Sequence, residues 1–213
     1  MTDTFLVADP HFGHSGVCRF LREDGTKLRP WDTPDEMDEA LVDNWNKVVS
    51  AKDRVYVLGD VVINRRCLPI LERVNGRLVL IKGNHDIFKL EDYAKYFDDI
   101  RSSHKLDNYI LSHIPIHPDS LARWCGGNIH GHLHSNRVMT PDGKSIDPRY
   151  FSVSVEHTDF TPMSFNEVKL RFEKQKEEHN DTSRLRRSNI LFNINTIKTF
   201  FSGLCNTDRR ASN

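Results

Sequence analysis

The chain has 213 residues, 38% of them hydrophobic, and its thirty Lys and Arg match thirty Asp and Glu for a formal net charge of zero. That length buries one sizeable core rather than two large domains, and the even charge leaves no global field to gather a long polyanion such as duplex DNA. Cys18, Cys67, Cys125 and Cys205 form no Cys-x-x-Cys pair and no small disulfide framework, and the first apolar stretch, Phe5 to Ala8, is too short for a signal peptide or a membrane span; both point to a cytoplasmic protein.

The predicted elements alternate strand and helix. Thr4 to Ala8 is a β-rich run that ends at Asp9-Pro10, where proline cannot continue a ladder. Thr33-Pro34-Asp35-Glu36 opens a helix to about Val49, with threonine as cap, proline in the first turn and glutamate closing the capping box. Arg54 to Leu58 is a second strand, Cys67 to Val74 a helix, and Leu78 to Ile81 a third strand, which makes a parallel unit and an α/β fold. Further strands are expected over Tyr109 to Ser112, Asn128 to His130 and Tyr150 to Val155, followed by a charged helix from Ser164 to about Glu178.

Each strand ends on residues able to ligate a metal: Asp9-Pro10-His11, Gly59-Asp60, Gly83-Asn84-His85-Asp86, His113, and Gly131-His132-Leu133-His134. The carboxyl ends of strands are where α/β sheets build their sites. In extended backbone, residues i and i+2 project to one side, so Asp9 with His11, and His132 with His134, are each expected to converge on one point. Gly59, Gly83 and Gly131 allow close approach of the loops, and Asn84 adds a neutral amide oxygen. Mixed carboxylate and imidazole donors suit first-row ions such as Mn²⁺, Fe²⁺, Zn²⁺ or Ni²⁺.

These motifs, in this order over roughly residues 5 to 157, resemble the calcineurin-like metallophosphoesterase superfamily, with its Asp-x-His, Gly-Asp, Gly-Asn-His-Asp/Glu, His and Gly-His-x-His signature. The run Asp9-Pro10-His11-Phe12-Gly13-His14 and the Trp45-Asn46 pair are most similar to the small, cap-less bacterial and phage members. The resemblance implies a four-layer α/β/β/α sandwich of two mixed sheets flanked by helices. It implies that Asp9, His11, Asp60 and His134 hold one metal and that Asp60, Asn84, His113 and His132 hold a second, with Asp60 bridging. Manganese is the metal expected from the family. The implied chemistry is in-line attack on phosphorus by a water deprotonated between the metals. His85 would assist at the phosphoryl group or leaving oxygen, with Asp86 orienting it. His14 and His117 are expected at the substrate rim and His130 in a structural role, while His104 and His179 read as solvated surface residues.

The protein serine/threonine phosphatases of the superfamily carry Val-Asp-Arg-Gly after Gly-Asp, whereas Gly59-Asp60 is followed here by Val61-Val62-Ile63-Asn64-Arg65-Arg66. Arg65 or Arg66 remains a candidate phosphate clamp, but small phosphoesters or nucleotides are favoured over phosphoproteins. The alternatives are a nuclease and a catalytically silent scaffold of the same fold. Residues 1–178 form the expected catalytic domain and 179–213 an appended basic tail. From Asn180 to Asn213, six Lys and Arg against two Asp leave +4. Ile190, Leu191, Ile194, Ile197 and Phe201 fall near helical spacing behind Arg184, Arg186 and Arg187. Substrate preference and oligomeric state are left open by sequence.

Overall fold

The computed structural model of the chain describes residues 2–121, 126–182 and 184. The expected amphipathic tail helix lies outside the described residues. The chain divides into Met1–Phe172 and Glu173–Asn213, earlier than the expected 178/179 boundary. In the second unit, residues 173–182 are helical and carry the ion pairs Glu173–Lys176 at 2.8 Å and Lys174–Glu178 at 3.9 Å.

The first unit is α/β, built on two mixed sheets flanked by helices. One sheet contains β1 (Thr4–Val7), β2 (Arg54–Val57), β3 (Arg77–Ile81), β4 (Asp99–Arg101) and β9 (Met163–Ser164), in the order β4-β3-β2-β1-β9. The pairs among β1 to β4 are parallel and only β9 runs antiparallel. The second sheet contains β5 (Ser103–Leu106), β6 (Tyr109–Ser112), β7 (Gly127–His130) and β8 (Tyr150–Ser152), in that order. Its β5–β6 pair is antiparallel and the other two are parallel.

The strand sequences Phe5-Leu6-Val7, Val55-Tyr56-Val57 and Leu78-Val79-Leu80-Ile81 are continuously apolar because both faces of the first sheet are covered. Phe5, Val7, Val55, Val57, Leu78 and Leu80 point into one core, which they share with Met37, Leu41, Val42 and Trp45 of α1 (Pro34–Val48). Leu6, Tyr56, Val79 and Ile81 point into the other, against Leu111, Ile129 and Phe151 of the second sheet and Phe165, Val168 and Phe172 of a helix, α3, over residues 165–172. Burying each of these large side chains stabilises the fold by roughly 1.5–3 kcal/mol before conformational entropy is subtracted.

The helix starts follow their sequences. Thr33 Oγ1 accepts from Glu36 N at 3.2 Å and the Glu36 side chain returns to Thr33 N, closing the expected box on α1. Ser164 Oγ accepts from Glu167 N at the start of α3. The helix expected over Cys67 to Val74 is instead a 3-10 helix, Arg65–Arg73, capped by Asn64. Pro69 inside it has no N–H to donate, which weakens α-helical pairing there. The short β4, β5 and β9 and the single turn α2 (Leu90–Tyr93) carry no periodic signal long enough to read from sequence.

The two sheets meet at their carboxyl ends. Ala8 N donates to Val153 O and Val155 N to Ala8 O, both at 3.0 Å, so the chain beyond β1 pairs with the chain beyond β8. Asp9 N and His11 N donate to the carbonyls of Gly59 and Asp60, each at 3.1 Å. The loops that carry the motifs are thereby joined to one another.

Candidate metal centre

Every expected ligand lies just past a strand, and together they make two clusters. Asp9, His11 and His134 bring one donor atom each within 4.8 Å of one another, and Asp60, His113 and His132 do the same. Asp60 stands between the clusters, with Oδ2 3.5 Å from His11 Nε2 and Oδ1 3.4 Å from His113 Nε2. Asn84 Oδ1 joins the second cluster, 2.8 Å from His113 Nε2 and 2.9 Å from His132 Nδ1.

His132 and His134 do not converge as expected of an extended pair, because their φ angles of 71° and 49° take the chain out of β geometry. One therefore enters each cluster. Asp9, His11 and Asp60 are likewise in the left-handed region, at 57°, 50° and 55°. Such backbone costs of order 1 kcal/mol or more per non-glycine residue and collects where the surrounding structure imposes it at functional sites. The loops also approach one another closely. Gly59, at φ 82°, has no room for a side chain, since a Cβ there would lie 2.6 Å from the Gly83 backbone and from His113 Nδ1.

The donor set fits cations. His113 Nδ1 lies 2.8 Å from the Leu58 carbonyl, an oxygen that can only accept, so Nδ1 carries a proton and Nε2 is the nitrogen that faces the cluster. Burial disfavours a charge on the ring, but Asp60 and Asp9 outweigh it and hold His113 above the ordinary imidazole range. Nε2 faces the Asp60 carboxylate and the Asn84 amide oxygen, so a proton on Nε2, or a cation once that proton is lost, fills the space between them. In His11, buried to 2% exposure, both ring nitrogens lack a hydrogen-bond partner. Burial, reinforced by the Arg29 charge, pushes His11 well below the ordinary imidazole range. Its approach to Asp60 is therefore no ion pair, and the neutral ring is in the form that ligates a metal.

The two carboxylates differ. Burial opposes a charge on Asp60, but His113 and the His85 N–H, 2.9 Å from Oδ1, outweigh it and hold the carboxyl at about 2. At Asp9 burial dominates over the pull of His113 and His134 and lifts the carboxyl to about 6. Asp9 is nevertheless fixed by Ser154 Oγ, which donates to Oδ2 at 2.7 Å, and by His132 N at 2.9 Å.

Residues that the motifs did not reveal hold the ligands in place. His134 Nδ1 lies 3.1 Å from Glu156 Oε1, which leaves Nε2 to face the first cluster. The same carboxylate oxygen accepts from fully buried Arg29, whose other N–H groups donate to the Asp9 carbonyl at 2.6 Å and the Pro10 carbonyl at 2.7 Å. Burial disfavours the Glu156 charge, but Arg29 and His134 override it and hold the carboxyl at about 2. Histidine ligands are commonly oriented by such a carboxylate. Glu156 follows the expected strand over Tyr150 to Val155, as the ligands follow theirs, whereas nothing around Arg29 in the sequence marks it.

Other expected positions differ. Asp86 does not orient His85. Its oxygens accept from the backbone N–H groups of Asp60 at 2.9 Å, Val61 at 3.0 Å and Gly83 at 2.8 Å, so this buried carboxylate ties the loops beyond β2 and β3 together. The exposed ring of His85 instead sits 5.6 Å, centroid to centroid, from that of His11. His14 is at the centre, 5.5 Å from the His11 ring. His117 is exposed, and its ring pairs with Asp119 at 3.7 Å. His104 is not simply solvated, since it stacks on Tyr56 at 5.2 Å and hydrogen-bonds the phenol. His130 is structural as expected, buried with Nδ1 2.7 Å from the Gly131 carbonyl. Arg65 pairs with Asp92.

No helix among the described residues is long and apolar enough to cross a membrane. No family model matches the chain. Among solved structures, the crystal structure of the protein of unknown function AQ665 from Aquifex aeolicus has a similar fold, with a TM-score of 0.57 and 24% identity, covering 79% of this chain and 98% of that one. The Gene 66 protein of Mycobacterium phage D29 is 28% identical over 199 residues, covering 76% of this chain and 93% of that protein. The Uncharacterized protein MJ1445 of Methanocaldococcus jannaschii is 32% identical over 189 residues, covering 83% of this chain and 94% of its relative. By that likeness, the chain belongs to the same family as MJ1445.

Proposed function

We propose that this chain is a dinuclear-metal phosphoesterase that hydrolyses small phosphate esters or nucleotides, and that its paired sheets are the four-layer sandwich of the calcineurin-like metallophosphoesterases. The observation that carries the reading is the position of Asp60, one oxygen toward each three-residue cluster, with His11 Nε2 3.5 Å and His113 Nε2 3.4 Å away.

One ion would be held by Asp9, His11, His134 and Asp60, and the other by Asp60, Asn84, His113 and His132. Two such ions supply charge to neutralise phosphoryl oxygens and a water that ionises near neutral pH. The protein's part is to fix the geometry. Asp9 is set by Ser154, His134 by Glu156, and Asp60 by the His85 N–H. His85 itself is left with an exposed ring, within reach of a phosphoester seated at the centre. There it donates to the phosphoryl group or the departing oxygen. Manganese is the first metal to load, because a site of carboxylate, amide and imidazole donors accepts it.

The test is turnover of bis-p-nitrophenyl phosphate and p-nitrophenyl phosphate by protein loaded with Mn²⁺ and by the same protein stripped with chelator. Turnover that needs the metal supports the reading. Metal-independent rates, or none with any first-row divalent ion, sink it in favour of a silent scaffold.

A further inference from the structure

We infer that His14 and Phe20 form the subsite for the esterified group, with His14 Nε2–H donating to a phosphoryl oxygen and Phe20 packing on a flat, apolar substituent such as an aryl group or a nucleobase. This rests on the phosphoesterase reading above and adds a substrate class to it.

The tautomer of His14 is set by its own loop. Gly16 N–H donates to His14 Nδ1 at 3.0 Å, so in the neutral ring the proton is on Nε2. No described residue accepts from Nε2, which leaves an unused donor on a ring whose centroid is 5.5 Å from that of His11. The loop is anchored rather than loose. Gly13 N donates to both oxygens of Asp38, at 3.0 and 2.9 Å, and His14 N donates to the His11 carbonyl at 3.1 Å.

Phe20 continues the same surface. Its ring meets His14 edge to face, at 5.9 Å and 82°. It is 51% exposed, and its neighbour Leu21 is 65% exposed. A hairpin holds both in place, through Phe20 N to Gly16 O at 3.1 Å, Leu28 N to Phe20 O at 2.8 Å and Arg22 N to Thr26 O at 2.8 Å. An exposed aromatic ring on a hydrogen-bonded hairpin, beside a vacant hydrogen-bond donor and a metal-type centre, matches the two parts of one ligand. The donor meets the oxygen of a phosphoryl group, and the ring meets the group attached to it.

Phenylphosphonate and methylphosphonate probe the two parts by calorimetric titration of the Mn²⁺-loaded protein. Wild type should bind phenylphosphonate about tenfold more tightly than methylphosphonate, the scale of one ring stacked on an aromatic side chain. Phe20→Ala should bring the two ligands to parity without weakening methylphosphonate. His14→Phe, which keeps a ring but removes the donor, should weaken both about tenfold, and His14→Gln should recover part of the loss. Metal content and circular dichroism of each variant identify any that fail to fold. A long-range ¹H–¹⁵N spectrum of the wild-type imidazoles adds a readout independent of binding, with His14 expected as the Nε2–H tautomer. Equal affinity of wild type for both phosphonates, unchanged binding by folded His14→Phe, or an Nδ1–H tautomer overturns the subsite. Hydrolysis of bis-p-nitrophenyl phosphate by the same wild-type sample separates the two levels. Turnover without these binding differences overturns the subsite alone, whereas no turnover and no phosphonate binding overturns both.

Discussion

Asp9 and Asp60 are two buried carboxylates in one centre with opposite proton affinities, and metal binding should reveal the difference. The Asp9 carboxyl is lifted to about 6 and must lose its proton before it can ligate. In the metal-free fold a raised carboxyl weakens stability as pH climbs from about 4 to about 6, because the unfolded chain deprotonates first. Over the same window affinity for a cation should increase, by up to about tenfold per pH unit below 6 from the Asp9 proton alone. Mn²⁺ titrations at several pH values should show tightening that continues past about pH 6, with more than one proton released per protein below it. His113 and His134, held above the ordinary imidazole range by neighbouring carboxylates that outweigh burial, must also lose a proton to ligate. Affinity independent of pH across this range would mean that Asp9 is already ionised or does not ligate. Glu156→Gln keeps the shape but removes the charge that orients His134, and should weaken metal binding about 10–100-fold. Metal stoichiometry after dialysis against a graded chelator buffer checks this, and unchanged retention would show that His134 needs no such support.

The elements that hold these residues were legible in the sequence to different degrees. Strand runs such as Val55-Tyr56-Val57-Leu58 announce themselves by unbroken β-branched and apolar character, and Thr33-Pro34-Asp35-Glu36 announces a helix by its caps. The ligand motifs were legible because they stand at strand ends. The supports were not, since Arg29 lies in a loop without periodicity and its partners, the carbonyls of Asp9 and Pro10, the Met37 sulfur and the carboxylate of Glu156, meet it only in the fold. The resemblance implied Asp86 as the partner that orients His85, whereas the turn directs its oxygens to three backbone N–H groups. Arg29→Leu should destabilise the metal-free protein by about 3 kcal/mol, because it removes the full charge that compensates buried Glu156 and leaves that carboxylate to His134. Urea unfolding checks this, and a loss below about 1 kcal/mol would show that water reaches Glu156. Gly83→Ala should disrupt the centre more than the fold, since a Cβ there would lie 2.3 Å from Asp60 Oδ1. Its expected signature is lost metal with a circular dichroism spectrum close to that of wild type.

At the scale of the whole molecule, two sheets that meet at their carboxyl ends bring together residues as distant in sequence as Asp9 and Ser154, which a linear reading ordered but could not place. Buried histidines add a stability cost on the acid side. Burial lowers His130 to about 4, so the unfolded chain takes up its proton first and stability falls as pH drops from about 6.5 to about 4. His130→Gln should flatten that part of the pH–stability curve measured by urea unfolding, and an unaltered slope would assign it to other groups. The central claim is that these loops hold two metals for phosphoester hydrolysis with His85 acting on the substrate rather than on a metal. The most direct measurement is the bis-p-nitrophenyl phosphate rate of His85→Ala against wild type, with metal content determined on the same samples. Two ions per protein are expected in both, with a rate lowered at least about 100-fold in the variant. Equal rates at equal metal content, or fewer than two ions in active wild type, would contradict it.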